Sequence, residues 1–309
     1  MSIQHPQEFH VPTSDDAAWS ETCWFAFSVP TRKLSVHTYP FFRPNLGVCS
    51  AAVYIWDDSA SHPHQAIHSK NYWHLAIPDE PLSNITLATG LHYEVLERGN
   101  STRITYLDAD AEAIAIDVVF TGAFAPHDNG HGHTDQAGRV VGTIRIDGEM
   151  IPVDSYGFHD RSWGYRPQVG TGMVRRGGSR GGYDFGTASS ETAFHALSVG
   201  PTDQGPDAAR NVHGYLVLDG SFAKIAHAVR RVVERDPGTR FPRRVVLNGV
   251  DELGREFEAD GTTENALGLN VNPNMYSVAC LTHWELNGVP MWGEVHDNFS
   301  SVAAREHFA

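Results

Sequence analysis

Alternating hydrophobic and polar positions dominate this chain and predict β-strands. Runs with this two-residue period, separated by short polar segments, cover residues 93–97, 102–107 and 113–120. A turn about every ten residues is typical of an antiparallel meander. The first half of the chain is therefore predicted to fold as a β-meander.

The second half repeats this style, with turn dipeptides at the ends of hydrophobic runs. These dipeptides are Asp219-Gly220, Asn248-Gly249 and Asn287-Gly288. Asp-Gly and Asn-Gly suit type I′ hairpins because both central residues need a positive φ. Residues 223–233 fit either a helix or a strand that ends at a turn. The pattern as a whole predicts a mainly antiparallel β fold.

An internal echo points to two domains. Segments 141–160 and 280–297 each contain a strand, an Asp-Gly or Asn-Gly turn, and a second strand that ends in His-Asp. The echo places a boundary near residues 150–165, and we set the domains at 1–153 and 154–309. Closure of each sheet into a barrel would hide its edges and enclose a ligand-sized cavity.

Composition excludes several classes of protein. The 309 residues carry a formal charge of −14, which argues against extended contact with nucleic-acid phosphates. No apolar run approaches the ~18–20 residues of a membrane span, and residues 1–30 lack the pattern of a signal peptide. Cys23, Cys49 and Cys280 are too few and too scattered for a disulfide framework or a zinc site. A cytoplasmic protein is expected.

The most informative segment is 157–166, near the middle of the chain. It contains His159, Asp160, Arg161, Trp163, Tyr165 and Arg166. A stable core rarely tolerates this mixture, because each buried charge needs a partner. A catalytic or binding site is one interpretation. The other is structural, with Asp160 paired to Arg161 or Arg166 across an interdomain crossover and Trp163 filling the core.

On the catalytic interpretation, the motif would protonate a carbon–carbon double bond. His159 or Asp160 would donate the proton, and Asp160 could do so only if burial raised its pKa. Tyr165 joins the catalytic candidates and also lines the pocket with Trp163. Aromatic faces stabilise a cationic intermediate. An arginine, Arg161 or Arg166, would orient a polar group of the substrate.

Other segments offer further candidates. His74, His92 and Trp24 are predicted to line a pocket, with His74 pointing inward beside Trp73. His131 and His133 could bind a divalent metal together with a nearby aspartate, but the flanking glycines favour a solvated loop, so no metal is expected. The glycine-rich basic loop 175–182 could hold an anionic group, although a surface loop is the simpler interpretation.

Several motifs in order along the chain suggest a family. They are Trp19–Phe25, Arg43-Pro44-Asn45, His133 with Gln136, the central motif, His213-Gly214-Tyr215 and Trp284–Gly288. With these, the chain resembles the lipocalin-like superfamily of AttH-type proteins and carotenoid 1,2-hydratases, and within it a bacterial branch of paired domains of unknown function. That branch usually has Arg-Asp-His-Ser-Trp-Gly at its centre. Here His159 and Arg161 have exchanged places, which puts the role of Arg161 in doubt.

The resemblance implies an all-β protein of two consecutive lipocalin-like antiparallel β-barrels with a small hydrophobic ligand. The leading hypothesis is a cofactor-independent lyase or isomerase of the hydratase–dehydratase type, acting on an unsaturated terpenoid, steroid or polyketide-like compound. The alternative is a non-enzymatic carrier, and a third is a metal-dependent enzyme using His131 and His133. The expected partner is a small hydrophobic molecule, with no nucleic acid and no membrane insertion. A homodimer is one assembly that the sequence allows.

Overall fold

Strands account for most of the chain in the computed structural model, which describes residues 7–110, 113–130, 132–166, 179–272 and 274–309. The all-β prediction is confirmed, and the fold is that of a two-domain lipocalin-like protein. Two compact units are present. The first contains strands β1–β11, and the second contains β12–β20, a C-terminal helix and the segment 56–67.

The first unit is built on one antiparallel sheet that does not close within the described residues. Its strands are β1 (Trp19–Val29), β2 (Leu34–Arg43), β3 (Val48–Trp56), β4 (His68–Ala76), β5 (Asn84–Thr86), β6 (Leu91–Glu97), β7 (Ser101–Leu107), β8 (Ile114–Gly122), β9 (His127–Asp128), β10 (His133–Ile146) and β11 (Glu149–Tyr165). Their order is 4-3-2-1-11-10-8-7-6-5, with β9 paired to β10. The first strand therefore pairs with the last, and β4 and β5 form the two edges.

The second unit is a closed barrel. Its strands are β12 (Arg180–Ser189), β13 (Thr192–Gly200), β14 (Ala208–Leu218), β15 (Ser221–Arg235), β16 (Pro242–Asp251), β17 (Glu256–Thr263), β18 (Leu267–Asn272), β19 (Met275–Leu286) and β20 (Val289–Ser300), followed by helix α1 (Ser301–Phe308). The order is 17-16-15-14-13-12-20-19-18, and pairing of β17 with β19 closes eight strands into a ring. Closure removes the exposed edges that an open sheet would leave. Short 3₁₀ turns lie in the chain at Pro30–Arg32, Pro44–Leu46 and Pro63–Gln65.

Side chains fill the interior of this barrel. Phe194, Leu216, Trp284 and Val295 belong to one fully buried apolar cluster, and Phe308 of α1 packs against it. Buried ion pairs lie beside this cluster. The Arg230 Nε atom donates to Asp184 at 2.8 Å, and its Nη1 atom donates to Asp297 at 3.3 Å. This barrel is thus a packed scaffold in its described part.

Three of the predicted hairpin turns are confirmed by their backbone angles. Asp219 and Asn287 have φ of 53° and 49°, and the glycines that follow them have φ of 71° and 82°. The same geometry occurs at Asp147-Gly148, with φ of 50° and 89°. Residues 223–233 lie in strand β15 rather than in a helix.

The turn predicted at Asn248-Gly249 is wrong, because β16 continues through it to Asp251. A Cβ atom on Gly249 would lie 2.3 Å from the His227 carbonyl oxygen and 2.5 Å from the Ala228 side chain. This glycine therefore permits a close strand–strand approach at an irregular pairing of β15 and β16.

The sequence boundary at 153/154 falls inside β11, which belongs entirely to the first unit. The two units instead divide after residue 166, so the central motif ends the first unit rather than beginning the second. Segment 56–67 also differs from the prediction. It joins the second unit, where the Trp56 Nε1 atom donates to the Asn265 Oδ1 atom at 3.1 Å. None of the helices in the described residues is long and apolar enough to cross a membrane.

Candidate functional site

The central motif lies on β11 and is divided between the two faces of the first sheet. Successive side chains of a strand point to opposite faces. His159 and Arg161 lie on the concave face, where Phe25, Tyr93 and Phe120 pack together. Asp160 and Ser162 lie on the convex face. The two predicted proton donors, His159 and Asp160, therefore cannot address the same substrate atom.

On the concave face, His159 is held between an aromatic ring and a thiol. Its ring stacks on Phe25 with centroids 4.1 Å apart, and its Nε2 atom lies 3.6 Å from the Cys23 Sγ atom. Burial, reinforced by the nearby Arg161 charge, lowers the pKa of His159 to about 3. Burial also raises the pKa of the Cys23 thiol to about 12. Both groups are therefore uncharged at neutral pH.

Arg161 and Trp163 anchor the N-terminal segment of the described chain. Arg161 forms an ion pair with Glu21, both side chains being fully buried, and donates to the Thr22 carbonyl oxygen at 2.6 Å. His10 contacts the same Glu21 carboxylate at 3.1 Å and stacks on Trp163 with ring centroids 4.0 Å apart. These contacts bind strand β1 to β11 and fix residues preceding β1. They favour the structural interpretation for Arg161.

A cavity opens on the concave face beside these groups. It is lined by Gln7, Cys23, Phe25, Leu82, Tyr93, Val95, Thr102, His159 and Arg161. Its empty volume is about 250 Å³ including the open mouth. Gln7 is fixed at the rim, where its Nε2 atom donates to Thr102 at 3.3 Å and its Oε1 atom accepts from the Gly99 amide at 2.6 Å.

On the convex face, one imidazole lies among two carboxylates and a hydroxyl group. The His133 Nε2 atom is 3.0 Å from Asp135 Oδ1 and 3.3 Å from Asp160 Oδ2, and its Nδ1 atom is 2.6 Å from Ser162 Oγ. Burial alone would lower the pKa of His133, but the charges of Asp160 and Asp135 raise it to about 9. His133 and Asp160 remain partly accessible, with 17% and 13% of their side chains exposed. We call these four residues the convex cluster.

Trp24 and Arg166 lie on the same face as the convex cluster. Trp24 is buried opposite Asp160 in the β1–β11 register and meets His37 edge to face at 5.0 Å. Arg166 donates to Thr22 Oγ1 at 3.5 Å. Of the predicted site residues, the structure therefore brings Asp160, Trp24 and Arg166 to one face.

The remaining predicted residues lie elsewhere. Tyr165 is 52% exposed and is absent from the described lining of the cavity. His74 does not point inward, because β4 has a positive φ of 59° at this position and both His74 and Trp73 are exposed. His92 bonds across β5 and β6 to Thr86 at 2.8 Å. His131 and residues 175–178 of the basic loop lie outside the described residues.

The sequence interpretation missed Glu21, Cys23, Asp135 and Ser162, and it assigned His133 only to a loop or a family pattern. Glu21 could have been noticed, because it is a charged residue within the hydrophobic run that forms β1. This strand is buried along its whole length. A polar residue in such a strand requires a partner. The partner of Glu21 is Arg161, which lies far along the chain.

Sequence comparison identifies the family. The model of a family described as a domain of unknown function (DUF7064) matches residues 5–298. The chain belongs to the DUF7064 family. This single match spans both units of the DUF7064 protein, and no curated protein matches its sequence.

Solved structures show the same fold at low sequence identity. A Nitrosomonas europaea protein assigned as AttH (NE1406) is 14% identical, with a TM-score of 0.59 and coverage of 93% of this chain and 94% of that chain. CghA is 11% identical, with a TM-score of 0.56 and coverage of 96% and 95%. CghA crystallised with Sch210972 is also 11% identical, with a TM-score of 0.50 and coverage of 96% of both chains. The resemblance in fold to AttH-type proteins is confirmed.

Proposed function

We propose that this protein binds a small, uncharged hydrophobic molecule in the cavity of its first unit. The observation that supports the proposal is the lining of that cavity, where Phe25, Tyr93, Val95 and Leu82 surround a neutral imidazole, His159. Ligand pockets are typically apolar, with a few polar groups that fix orientation. CghA, which shares the fold, was crystallised with Sch210972.

The electrostatics of the lining select against a charged ligand. His159 and Cys23 are uncharged at neutral pH, and the Arg161 charge is neutralised by Glu21. A charged ligand would lose its hydration without gaining a counter-ion, which is costly in a low-dielectric site.

Two fluorescent probes of different charge test the proposal. We expect neutral N-phenyl-1-naphthylamine to bind with one site per chain and anionic anilinonaphthalene sulfonate to bind at least about tenfold more weakly. Val95→Phe would fill the cavity and abolish binding of the neutral probe. Val141→Phe is the matched control, because Val141 is 46% exposed on β10. Equal binding by the wild type and Val95→Phe would rule out this cavity.

Turnover of the lyase or isomerase type is a second candidate function. The observation that favours it is the convex cluster, in which Asp160 and His133 are partly exposed beside Trp24 and Arg166. Such groups could transfer protons during hydration or dehydration of an unsaturated hydrophobic compound. Compounds extracted from the purified protein supply substrates to assay. An enzyme should lose turnover but not binding in Asp160→Asn, whereas a carrier should show no turnover in either form.

A further inference from the structure

The convex cluster has its position fixed by the backbone pairing of two strands. Asp135 on β10 lies directly opposite Asp160 on β11, and His133 precedes Asp135 by two residues on the same strand. Residues two apart on a strand share a face, and directly opposed residues have neighbouring side chains. Three ligand-type side chains therefore converge because of the hairpin register.

Two distances within the cluster match those between the ligands of a metal ion. The His133 Nε2 atom is 3.0 Å from Asp135 Oδ1 and 3.3 Å from Asp160 Oδ2, and one ligand atom from each residue lies within 4.8 Å of the others. Metal–ligand bonds of about 2.0–2.2 Å at tetrahedral or octahedral angles separate ligand atoms by about 2.8–3.6 Å. The two histidine–carboxylate separations fit that range.

The arrangement favours a hydrogen atom or a cation between these atoms. An Nε2 lone pair directed at two carboxylates would be repelled, and neighbouring carboxylates repel each other. A proton on Nε2 supplies one positive charge to this space. A divalent ion supplies two and contacts all three ligand atoms at once.

The fourth residue of the cluster supports the imidazole from behind. The Ser162 Oγ atom lies 2.6 Å from His133 Nδ1, so the second ring nitrogen has its own partner and the Nε2 atom faces the carboxylates. Hydrogen bonds of this kind fix the tautomer and orientation of metal-binding histidines. The partial exposure of His133 and Asp160, at 17% and 13%, leaves a side on which water could complete the coordination.

We propose that His133, Asp135 and Asp160 bind one divalent first-row transition-metal ion, with Zn²⁺ preferred over Mn²⁺. One imidazole and two carboxylates form a donor set of intermediate hardness, and affinity for such ions rises from Mn²⁺ to Zn²⁺. The ion binds on the convex face, whereas the ligand of the proposed function binds on the concave face. This inference does not depend on ligand binding in that cavity, although it shares His133 and Asp160 with the second candidate function.

Calorimetric titration tests the site in protein purified without a histidine tag and stripped with a chelator. We expect one Zn²⁺ per chain, and a loss of affinity of at least about tenfold in Asp160→Asn and His133→Gln. Asp154→Asn is the matched control, because Asp154 lies on the same strand and face but pairs with exposed Arg139. Equal affinity in the wild type and Asp160→Asn, or no binding at all, would overturn the proposal.

The remaining histidines are an alternative source of binding, and a second measurement addresses them. His62 and His64 stack on the surface with ring centroids 5.8 Å apart. With Mn²⁺ bound, electron-spin-echo spectroscopy should detect coupling to one imidazole nitrogen, which is retained in His64→Gln and lost in His133→Gln. Coupling retained in His133→Gln would place the ion elsewhere and refute the site. The wild-type spectrum alone decides against the proposal if it contains no nitrogen coupling.

Discussion

The burial of His159 predicts a specific loss of stability in mild acid. Its pKa is lowered from 6.5 to about 3 by burial and by the Arg161 charge. In the unfolded chain the ring is hydrated and gains its proton near pH 6.5. The unfolded state therefore binds more protons than the folded state between about pH 6.5 and 3. Stability is lost as the pH falls through this window.

The magnitude follows from the two pKa values. Between pH 7.5 and 5.0, protonation of His159 stabilises the unfolded state by about 2 kcal/mol, while it stabilises the folded state by almost nothing. The full difference of about 5 kcal/mol is reached only below about pH 3. A loss of 2 kcal/mol is large against the ~5–15 kcal/mol that stabilises most folded proteins.

Urea unfolding of the wild type and of His159→Gln at both pH values isolates this contribution. Other titrating groups affect both proteins equally. The wild type should therefore lose about 2 kcal/mol more unfolding free energy than His159→Gln between pH 7.5 and pH 5.0. His74→Gln serves as the control for removal of a histidine, because His74 is exposed on β4. If wild type and His159→Gln lose the same free energy between pH 7.5 and 5.0, the ring is not buried in its neutral form.

Three further substitutions test the packing of the two units by urea or thermal unfolding. Arg161→Met leaves Glu21 buried without its ion pair and should cost about 3–5 kcal/mol, whereas Arg139→Met removes an exposed pair and should not move the midpoint. Arg230→Met leaves the buried Asp184 without its ion pair, while Asp297 keeps Arg235, and it should cost a similar amount; a mild effect would contradict the buried-pair assignment. Gly148→Ala forces a side chain into a turn position with φ of 89° and should cost about 1 kcal/mol, with no change if another turn forms.

The fold could be predicted largely because its turns are specified by local sequence. An Asp-Gly or Asn-Gly dipeptide specifies positive φ at two consecutive residues, and this information needs no tertiary context. The rule was wrong at Asn248-Gly249, where the glycine is required by the close approach of the β15 backbone rather than by a turn. The sequence alone does not distinguish these two uses of glycine.

The sites were harder to predict, because their members come from different strands. The motif on β11 was recognised as unusual, but its partners Glu21 and His133 lie on β1 and β10, and only the strand register brings them close. The division of His159 from Asp160 follows from the two-residue period of a strand. It could have been inferred once residues 149–165 were assigned to one continuous strand.

The internal echo shows how one residue can separate two related sites. In the first unit, His159 follows Gly157 by two residues, so it shares the concave face with that glycine and Asp160 lies on the convex face. In the second unit one more residue separates Gly293 from the corresponding His-Asp pair. An offset of one residue moves every following side chain to the other face of a sheet.

The consequence is visible in the contacts of the second pair. Asp297 points into the barrel, where Arg230 and Arg235 bind its carboxylate at 3.3 and 2.7 Å, whereas His296 faces outward and contacts Glu294 at 2.7 Å. These arginines hold the pKa of Asp297 below its usual range despite the opposing effect of burial. The aspartate of the His-Asp dipeptide thus belongs to a buried ion pair in the second unit and to the partly exposed convex cluster in the first. Similarity between the halves therefore supports a duplicated fold, and gives no reason to expect duplicated chemistry.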